Sequence, residues 1–226
     1  IQSSDRILDS MSEKSSDAAE DFLIKLGVNV WKNVRVTGYD GSTVTTNTDL
    51  TFETATVIWT AGVQGALPSG IDANAIIPRA DRVKVNEFNQ VEGYDNIFAV
   101  GDIAAMISEE NPKGHPMMAQ PAMQQGKWLG ENIVRKINKQ PLKPFVYKDK
   151  GAMAIIGKNK AVVDLPSPKW HFKGFFAWVI WLFIHLISLI TYRNRLNTFW
   201  NWMVAYFARD QSLRMKIRPD KSIKNL

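Results

Sequence analysis

One carboxylate and two amides near the middle of the chain have the residue types and the spacing of a binding site. Asp102 follows Gly101 at the end of a short apolar run, and Gln120 and Gln124 lie four residues apart further along the chain. Dinucleotide-binding folds use an acid near a strand end to bind ribose-type hydroxyl groups, and a glycine there lets the backbone approach a ligand closely. The same Gly-Asp pair is equally typical of a plain turn.

The two glutamines are predicted to lie at the start of a helix. Pro121 fits the first helical turn, where a backbone donor is not needed. Residues four apart share a helical face, so Gln120 and Gln124 project in the same direction. The free N–H groups and positive partial charge of a helix start suit the electron-rich carbonyl edge of a flavin, which together with Asp102 indicates a flavin site. The helix is predicted to end at Asn138 and to pack through an apolar stripe of Ala122, Gly126, Leu129, Ile133 and Ile137.

Buried strands are predicted to position this site. Residues 97–100 form a continuous apolar run, which is typical of a strand covered on both faces. Residues 54–62 predict a second buried strand, ending at Ala61 and Gly62, whose small size permits close approach of a cofactor; a strand followed by an ordinary loop fits equally well. The other predicted elements are a helix over 12–26 and strands over 28–35, 43–46, 83–85, 145–147 and 152–156.

The combined motif resembles one family of flavoproteins. Gly101-Asp102 followed by Ala119-Gln120-x-Ala122-x-Gln124 is similar to the type II NADH:quinone oxidoreductases, the non-pumping, membrane-bound FAD enzymes of respiratory chains. The Gly-Asp element occurs in many two-dinucleotide flavoproteins, whereas the glutamine motif at this distance is much more specific. The resemblance implies that Asp102 binds the FAD ribityl chain, that the backbone of Ala119 and Gln120 lies at the flavin ring, and that Gln120 and Gln124 line a quinone pocket.

The resemblance also implies a division of the chain by function. We expect an α/β fold, the C-terminal part of a Rossmann-like flavoprotein with two dinucleotide-binding domains. Residues 1–62 would complete the NADH-binding domain, residues 63–165 would complete the FAD-binding domain and include the quinone-site helix, and residues 166–226 would form amphipathic membrane-anchoring helices. Because the chain starts without methionine and contains no G-x-G-x-x-G loop, we expect it to be a fragment that alone neither retains FAD nor oxidises NADH.

Gln2 falls where the second strand of the NADH-binding unit would end. An acid normally binds the adenosine ribose at that place, and it repels the 2′-phosphate of NADPH. A neutral glutamine leaves the preference between NADH and NADPH open. The alternative is that Gln2 is a polar strand-end residue without a role in binding.

Composition excludes several functions. The chain has no cysteine, so disulfides, cysteine metal sites and a redox-active cysteine pair are excluded, and with them the disulfide reductases and sulfide:quinone oxidoreductases related to the suggested family. The three histidines lack ligand spacing, so we predict no metal site. We expect His115 to be a solvent-exposed loop residue, and the alternative is a proton donor near the flavin. The net charge of +6 is compatible with nucleic acid or an anionic membrane, but no nucleic-acid motif is present.

The C-terminal region has the pattern of a membrane interface. Residues 174–190 carry no formal charge but are barely long enough to span a bilayer, and residues 196–207 form an amphipathic helix. The flanking bases are Lys169, Lys173, Arg193, Arg195, Arg209 and Arg214, and the tryptophans are Trp170, Trp178, Trp181, Trp200 and Trp202. This combination favours an anchor lying on an anionic membrane surface.

A peripheral, monotopic protein on the cytoplasmic face of the bacterial inner membrane follows from this interpretation. The alternatives are helices that pack on each other or in a homodimer interface, a membrane-binding module without activity, or another pyridine nucleotide oxidoreductase lacking redox cysteines.

Overall fold

The computed structural model describes residues 1–78, 80–109 and 111–208, which fold into two compact units. The first unit comprises residue 1, residues 33–151 and residues 165–169. The second comprises residues 2–32, residues 152–164 and the described residues from 170 to 208. Two of the predicted flanking bases, Arg209 and Arg214, lie outside the described residues. The predicted functional boundaries at 62 and 165 stay a prediction.

A small antiparallel sheet opens the first unit. Its strands are β1 (Val36–Tyr39), β2 (Thr43–Thr46) and β3 (Thr51–Glu53), paired in that order. The prediction of a strand over 43–46 is confirmed, whereas the prediction over 28–35 is wrong. Asn33 takes a positive φ of 59°, so the chain turns there and strand pairing starts only at Val36.

A second sheet carries the core of the first unit. It contains β4 (Ile76–Ile77), β5 (Arg82–Val85) and β6 (Ala104–Met106); β4 and β5 pair antiparallel and β5 and β6 pair parallel. The predicted strand over 83–85 is confirmed as part of β5. The buried core around this sheet consists of Ala75, Val83, Val85, Val91, Ala99, Ala104, Met106 and Phe145.

Residues 97–100 do not form the predicted strand. The segment is extended but makes one isolated bridge, between Gln90 and Phe98, and the Ala99 N–H donates to Asn89 O at 2.9 Å. Ala99 is buried, while its neighbours in the run are only half-buried. The apolar run therefore indicated partial burial correctly, but its backbone pairs with a short nearby segment instead of a sheet ladder.

Residues 54–62 are also not a strand. Strand β3 ends at Glu53, and beyond it the chain is irregular and mostly exposed, with Ile58 82% and Trp59 66% accessible. The described residues offer this run no partner strand, and pairing is what converts an apolar sequence into a buried strand.

Gly65 lies where two backbone segments meet. Its N–H donates to Ala80 O at 2.9 Å. A Cβ atom at this position would lie 1.9 Å from Asp81 O, so the side chain of any other residue would collide with main chain. The absence of a side chain therefore permits this contact.

Helix α2 (Ala119–Ile137) confirms the predicted helix but not its predicted packing face. Its buried residues are Pro121, Gln125 and Asn132, while Ile137 is 74% exposed. The apolar stripe through Ile133 and Ile137 is wrong because the buried face contains amide side chains whose polar atoms bond to backbone groups. The predicted strand over 145–147 is absent, since that segment belongs to no strand of the described residues.

Within the described residues, the second unit contains a three-stranded antiparallel sheet and three helices. Its helices are α1 (Glu13–Lys25), α3 (Phe175–Ser188) and α4 (Tyr192–Ala208), and its strands are β7 (Ala152–Gly157), β8 (Lys160–Asp164) and β9 (His171–Lys173), paired in that order. The predictions of a helix over 12–26 and a strand over 152–156 are confirmed. The Ser12 hydroxyl caps α1 by accepting from Ser15 N–H at 3.2 Å. The buried core of this unit contains Met11, Ala18 and Val162.

Helices α3 and α4 present large apolar side chains on their outer surfaces. Phe183 on α3 is 61% exposed and Trp200 on α4 is 68% exposed. The face predicted to be apolar on α4 is therefore uncovered within the described residues. None of the helices in that part of the chain combines the length and the apolar character needed to cross a bilayer.

Candidate functional site

The Gly101 turn packs directly against α2. Gly101 begins a short 3₁₀ turn with φ of 75°, and its N–H donates to Gln125 Oε1 at 2.7 Å. A Cβ atom at Gly101 would lie 3.3 Å from Ala122 Cβ, so glycine permits both the left-handed backbone and the close approach. The predicted pairing of the Gly-Asp element with the glutamine helix is therefore a direct contact.

Asp102 presents a free carboxylate beside this turn. Its side chain is exposed, and it makes no hydrogen bond or ion pair with the described residues. Its negative charge acts on Arg82, where it raises the guanidinium pKa against the larger lowering effect of burial. An unengaged carboxylate at a tight turn is suited to accept hydrogen bonds from a polyhydroxyl chain.

The start of α2 has no capping side chain. Ala119 is its first residue, and the preceding Met118 provides no side-chain cap. The first N–H groups of a helix lack intrahelical partners and carry positive partial charge. This end of α2 therefore presents N–H donors of the kind that an electron-rich carbonyl edge accepts.

Gln120 is held by one end of its amide. Its Nε2 donates to Gly151 O at 2.9 Å, while its Oε1 is buried and has no hydrogen-bond partner among the described residues. A buried acceptor without a donor is costly. The position therefore has an acceptor available for a ligand.

Gln124 is held by both ends of its amide. Its Nε2 donates to Lys148 O at 2.9 Å, and its Oε1 accepts from Lys148 N–H at 3.1 Å. Residues 143–151, hereafter the strap, lie along α2 through these and similar bonds. Because both polar ends of its side chain are engaged, Gln124 fixes the strap, and its predicted role toward quinone stays a prediction.

A buried arginine and a buried histidine order the loop before α2. The Arg82 guanidinium donates to Ala104 O at 2.6 Å, to Lys113 O at 3.0 Å and to His115 O at 3.0 Å. The expectation that His115 is exposed is wrong: its ring is buried against Phe145 and Tyr147. Burial, and to a smaller extent the charge of Arg82, lower the pKa of His115.

Sequence reasoning missed the supporting residues Arg82, Gln125, Asn132 and Asp149. Arg82, Gln125 and Asn132 act through hydrogen bonds with backbone groups distant in the chain, which composition and hydropathy do not reveal. Asp149 accepts from Gly151 N–H in a local turn, and only the fold brings that turn beside Gln120. The sequence did contain one usable signal, since Gln125 and Asn132 share the helical face of Pro121 and Trp128.

Three other predicted site residues, Ala61, Gly62 and Gln2, make no contact with the Gly101 turn or α2 among the hydrogen bonds of the described residues. Ala61 and Gly62 are exposed, and Gly62 has a φ of 82° with nothing within 4 Å of an added Cβ. The Gln2 amide donates to Ser4 Oγ at 2.6 Å, and the Gln2 N–H donates to Trp31 O at 2.7 Å. The predicted roles of all three toward a dinucleotide stay predictions.

A polar cluster in the second unit contains serine, histidine and aspartate but lacks the arrangement of a nucleophilic triad. Asp164 accepts from Ser12 N–H at 2.8 Å, and its Oδ1 lies 3.0 Å from His171 Nδ1. The same Nδ1 lies 3.0 Å from Ser15 Oγ, whereas a triad uses opposite ring nitrogens for its two partners. The cluster therefore ties the start of α1 to β8 and β9.

An apolar groove with a volume of about 790 Å³ lies in the second unit between α3, α4 and the end of β7. Aromatic side chains such as Trp178, Trp202 and Tyr206 line it. Lys158 is the lining residue with a charge, and its Nζ lies 4.1 Å from the centroid of the Tyr206 ring. The groove is suited to hydrocarbon.

Two protein-family models match the sequence of this chain. Residues 1–126 match the family described as pyridine nucleotide-disulphide oxidoreductase, and this match covers more than half of the chain. The chain therefore belongs to the pyridine nucleotide-disulphide oxidoreductase family. Residues 150–210 match a second, more specific family, described as NDH2 C-terminal domain.

Individual relatives point to the same group. The chain is 33% identical over 213 residues to the type II NADH:quinone oxidoreductase Ndh of Mycobacterium tuberculosis, which covers 89% of this chain and 44% of that protein. It is 31% identical over 167 residues to the type II NADH:quinone oxidoreductase of Haemophilus influenzae, covering 74% of this chain and 37% of that protein. The chain thus spans less than half the length of these relatives, and the resemblance predicted from the glutamine motif is confirmed.

A solved structure supports the fold. The structure of NDH2 from Plasmodium falciparum in complex with NADH superposes with a TM-score of 0.75 at 18% identity, covering 91% of this chain and 57% of that chain. At this level of identity the likeness concerns the fold alone. The predicted Rossmann-like α/β flavoprotein fold is confirmed.

Proposed function

We propose that the protein carrying this chain is an FAD-dependent oxidoreductase that passes electrons from NADH to a membrane quinone without pumping protons. One observation supports this most. The Gly101 N–H, next to the free carboxylate of Asp102, donates to Gln125 Oε1 of helix α2 at 2.7 Å. That contact joins a flavin-type element to the Ala119-Gln120-x-Ala122-x-Gln124 motif. The relatives of M. tuberculosis and H. influenzae are named type II NADH:quinone oxidoreductases.

The residues present fit FAD. Asp102 would hold the ribityl hydroxyls, and Gly101 leaves room for close backbone approach. The uncapped start of α2 at Ala119 would steady the negative edge of the flavin ring. FAD supplies the hydride and electron chemistry when bound, while the chain places the reactants and sets their electrostatics. Gln120 and Gln124 would line the quinone site, and Ala61, Gly62 and Gln2 would contact the dinucleotides.

The carboxylate of Asp102 provides the direct test. In the full-length protein, Asp102→Ala should lower the FAD content after purification, measured by flavin absorbance per protein, and lower NADH:quinone activity in parallel. Asp95→Ala, a matched control, changes another exposed acid of the same unit and should leave both unchanged. Wild-type protein that contains FAD but reduces no quinone with NADH would contradict the proposed function.

Helices α3 and α4 are proposed to anchor the protein in a membrane interface. Their exposed aromatic and aliphatic side chains form a surface that water solvates poorly, and exposed bases such as Lys173 and Arg193 flank it. Bases beside aromatic residues favour an anionic surface. Since NADH is a cytoplasmic coenzyme in bacteria, we place the protein peripherally on the cytoplasmic face of the bacterial inner membrane.

Vesicle flotation tests the anchor. The double variant Phe183→Ser/Trp200→Ser should float less with vesicles containing anionic lipid, while Ile137→Ser, an equally exposed apolar residue of the other unit, should float like wild type. A homodimer through the same helices is the competing proposal. It predicts a lipid-independent dimer by light scattering that the double variant dissociates, with no change in flotation.

A further inference from the structure

Four side chains of α2, spaced four residues apart, bond to the backbone of the strap. Gln120 and Gln124 bond to Gly151 and Lys148, as described above. Trp128 Nε1 donates to Lys143 O at 2.9 Å, and Asn132 both donates to Lys143 O and accepts from Lys143 N–H. One edge of the helix is therefore tied to the strap along its length.

The end of the strap near the site is a turn built by Asp149. Its Oδ1 accepts from Gly151 N–H at 2.8 Å, and Gly151 has a φ of 97°, a conformation that favours glycine. This turn directs the Gly151 carbonyl toward Gln120, whose Nε2 donates to it at 2.9 Å. Asp149 thus acts on Gln120 through one intervening residue.

The chemistry of this contact determines which way the Gln120 amide points. A carbonyl oxygen accepts only, so Gly151 O pairs with the NH₂ end of the amide and excludes the oxygen end. The Gln120 Oε1 is consequently turned away from Gly151 into a buried place, where no described residue donates to it. A buried acceptor held in this way selects a donor and offers nothing to a second acceptor.

We propose that Asp149 and Gly151 are positioning residues that fix Gln120 as a hydrogen-bond acceptor for an O–H or N–H group of the bound ligand. This inference rests on the proposed function and sharpens it. The Gln120 oxygen would recognise the hydroxyl of the hydroquinone product or a ring N–H of the flavin. It would not recognise the carbonyl of the oxidised quinone, which carries no donor.

The test compares Asp149→Ala, Asp149→Asn and Gln120→Met in the full-length, FAD-loaded protein with a water-soluble short-chain quinone and its hydroquinone. Asp149→Ala removes the acceptor for Gly151 N–H, and Gln120→Met removes the amide, whereas Asp149→Asn keeps an oxygen that accepts the same bond. Trp128→Phe, the matched control, breaks a bond at the opposite end of the strap. The readouts are the inhibition constant of the hydroquinone, the KM of the quinone and the midpoint potential of the flavin.

We expect the hydroquinone inhibition constant to rise about ten-fold in Asp149→Ala and Gln120→Met, with the quinone KM within about two-fold of wild type. Asp149→Asn and Trp128→Phe should behave like wild type. If the donor belongs to the flavin, the midpoint potential shifts in the same two variants while the hydroquinone constant stays unchanged.

Two results would overturn the inference. One is no change in the hydroquinone inhibition constant or in the flavin midpoint potential; the other is an equal rise in the quinone KM and the hydroquinone inhibition constant. Either result in an active wild-type background leaves the proposed function standing. Absence of quinone reduction by the wild-type protein would overturn the proposed function and this inference together.

Discussion

The amide of Gln124 and the peptide of Lys148 form a two-bond pair, with Nε2 donating to Lys148 O at 2.9 Å and Oε1 accepting from Lys148 N–H at 3.1 Å. Side-chain amides that pair with a backbone in both directions are strongly oriented. Gln124 therefore couples the strap to the second turn of α2, one turn beyond Gln120.

Replacing Gln124 by leucine should separate the two half-reactions of the proposed enzyme. Leucine removes the amide that the proposed function places in the quinone pocket, so we expect kcat/KM for quinone to fall about ten-fold, while reduction of the flavin by NADH stays within about two-fold. Stopped-flow absorbance of the flavin and steady-state quinone reduction measure the two quantities. An equal loss in both would contradict this role.

Replacing Arg82 by methionine should destabilise the first unit. The variant leaves three backbone carbonyls, those of Ala104, Lys113 and His115, without their charged donor, and we expect a loss of about 2–4 kcal/mol in the free energy of unfolding. Urea titration followed by fluorescence measures it. Lys84→Met on the same strand removes one bond, to Asn74 O, and should cost less than about 1 kcal/mol. Similar losses in both variants would show that the three-carbonyl contact contributes little.

Acid should weaken the second unit through Asp164. Burial raises the pKa of this carboxyl, but the bonds from Ser12, His171 and Ser15 together outweigh burial and leave the pKa lowered. A carboxyl with a lowered pKa in the folded state stabilises the fold above its unfolded pKa of about 3.9, and this contribution is lost as pH falls through the folded value.

Asp164→Asn should consequently show a smaller loss of stability than wild type when urea unfolding is compared at pH 5 and pH 3. Asp21→Asn, at an exposed position of α1, serves as the control and should follow wild type. Parallel pH dependence in all three proteins would show that Asp164 does not contribute.

His115 should give the first unit a pH dependence at a higher range. Burial first and the charge of Arg82 second lower its pKa, so the folded state holds the neutral ring. The stabilisation is complete above the unfolded pKa of about 6.5 and declines as pH falls from there through the folded pKa. We expect His115→Phe to flatten the dependence of unfolding free energy between pH 7 and pH 5. Ring-proton NMR of wild type should show this histidine titrating below pH 6.5.

The helices were largely predictable from sequence because their signals are local. The predicted helix over 12–26 matches α1 to within one residue at each end, and Pro121 places the start of α2. The runs over 54–62 and 97–100 were wrongly predicted as strands. A strand requires a partner that lies elsewhere in the sequence, and without one the run over 54–62 is neither paired nor buried.

The motif residues of the candidate site were predictable from sequence, whereas the residues that hold them in place were not. Gly101, Asp102 and Gln120 follow from residue type and spacing. Arg82 and His115 do not, because Arg82 bonds to backbone carbonyls and the His115 ring packs on aromatic rings that only the tertiary fold brings near. Asp149 builds a local turn, but its effect on Gln120 depends on the fold that brings Gly151 beside α2. The stripe assigned to Ile133 and Ile137 failed for a related reason, since Gln125 and Asn132 satisfy their amides on backbone groups and occupy the buried face instead.

The close backbone contact between Gly65 and the Asp81 carbonyl limits which residues position 65 can accept. Since a single methyl group would lie 1.9 Å from that oxygen, even alanine demands movement of main chain on one side or the other. A saturation library selected for folded protein should therefore recover glycine alone at position 65, whereas exposed Ala61, four residues earlier, should accept many replacements.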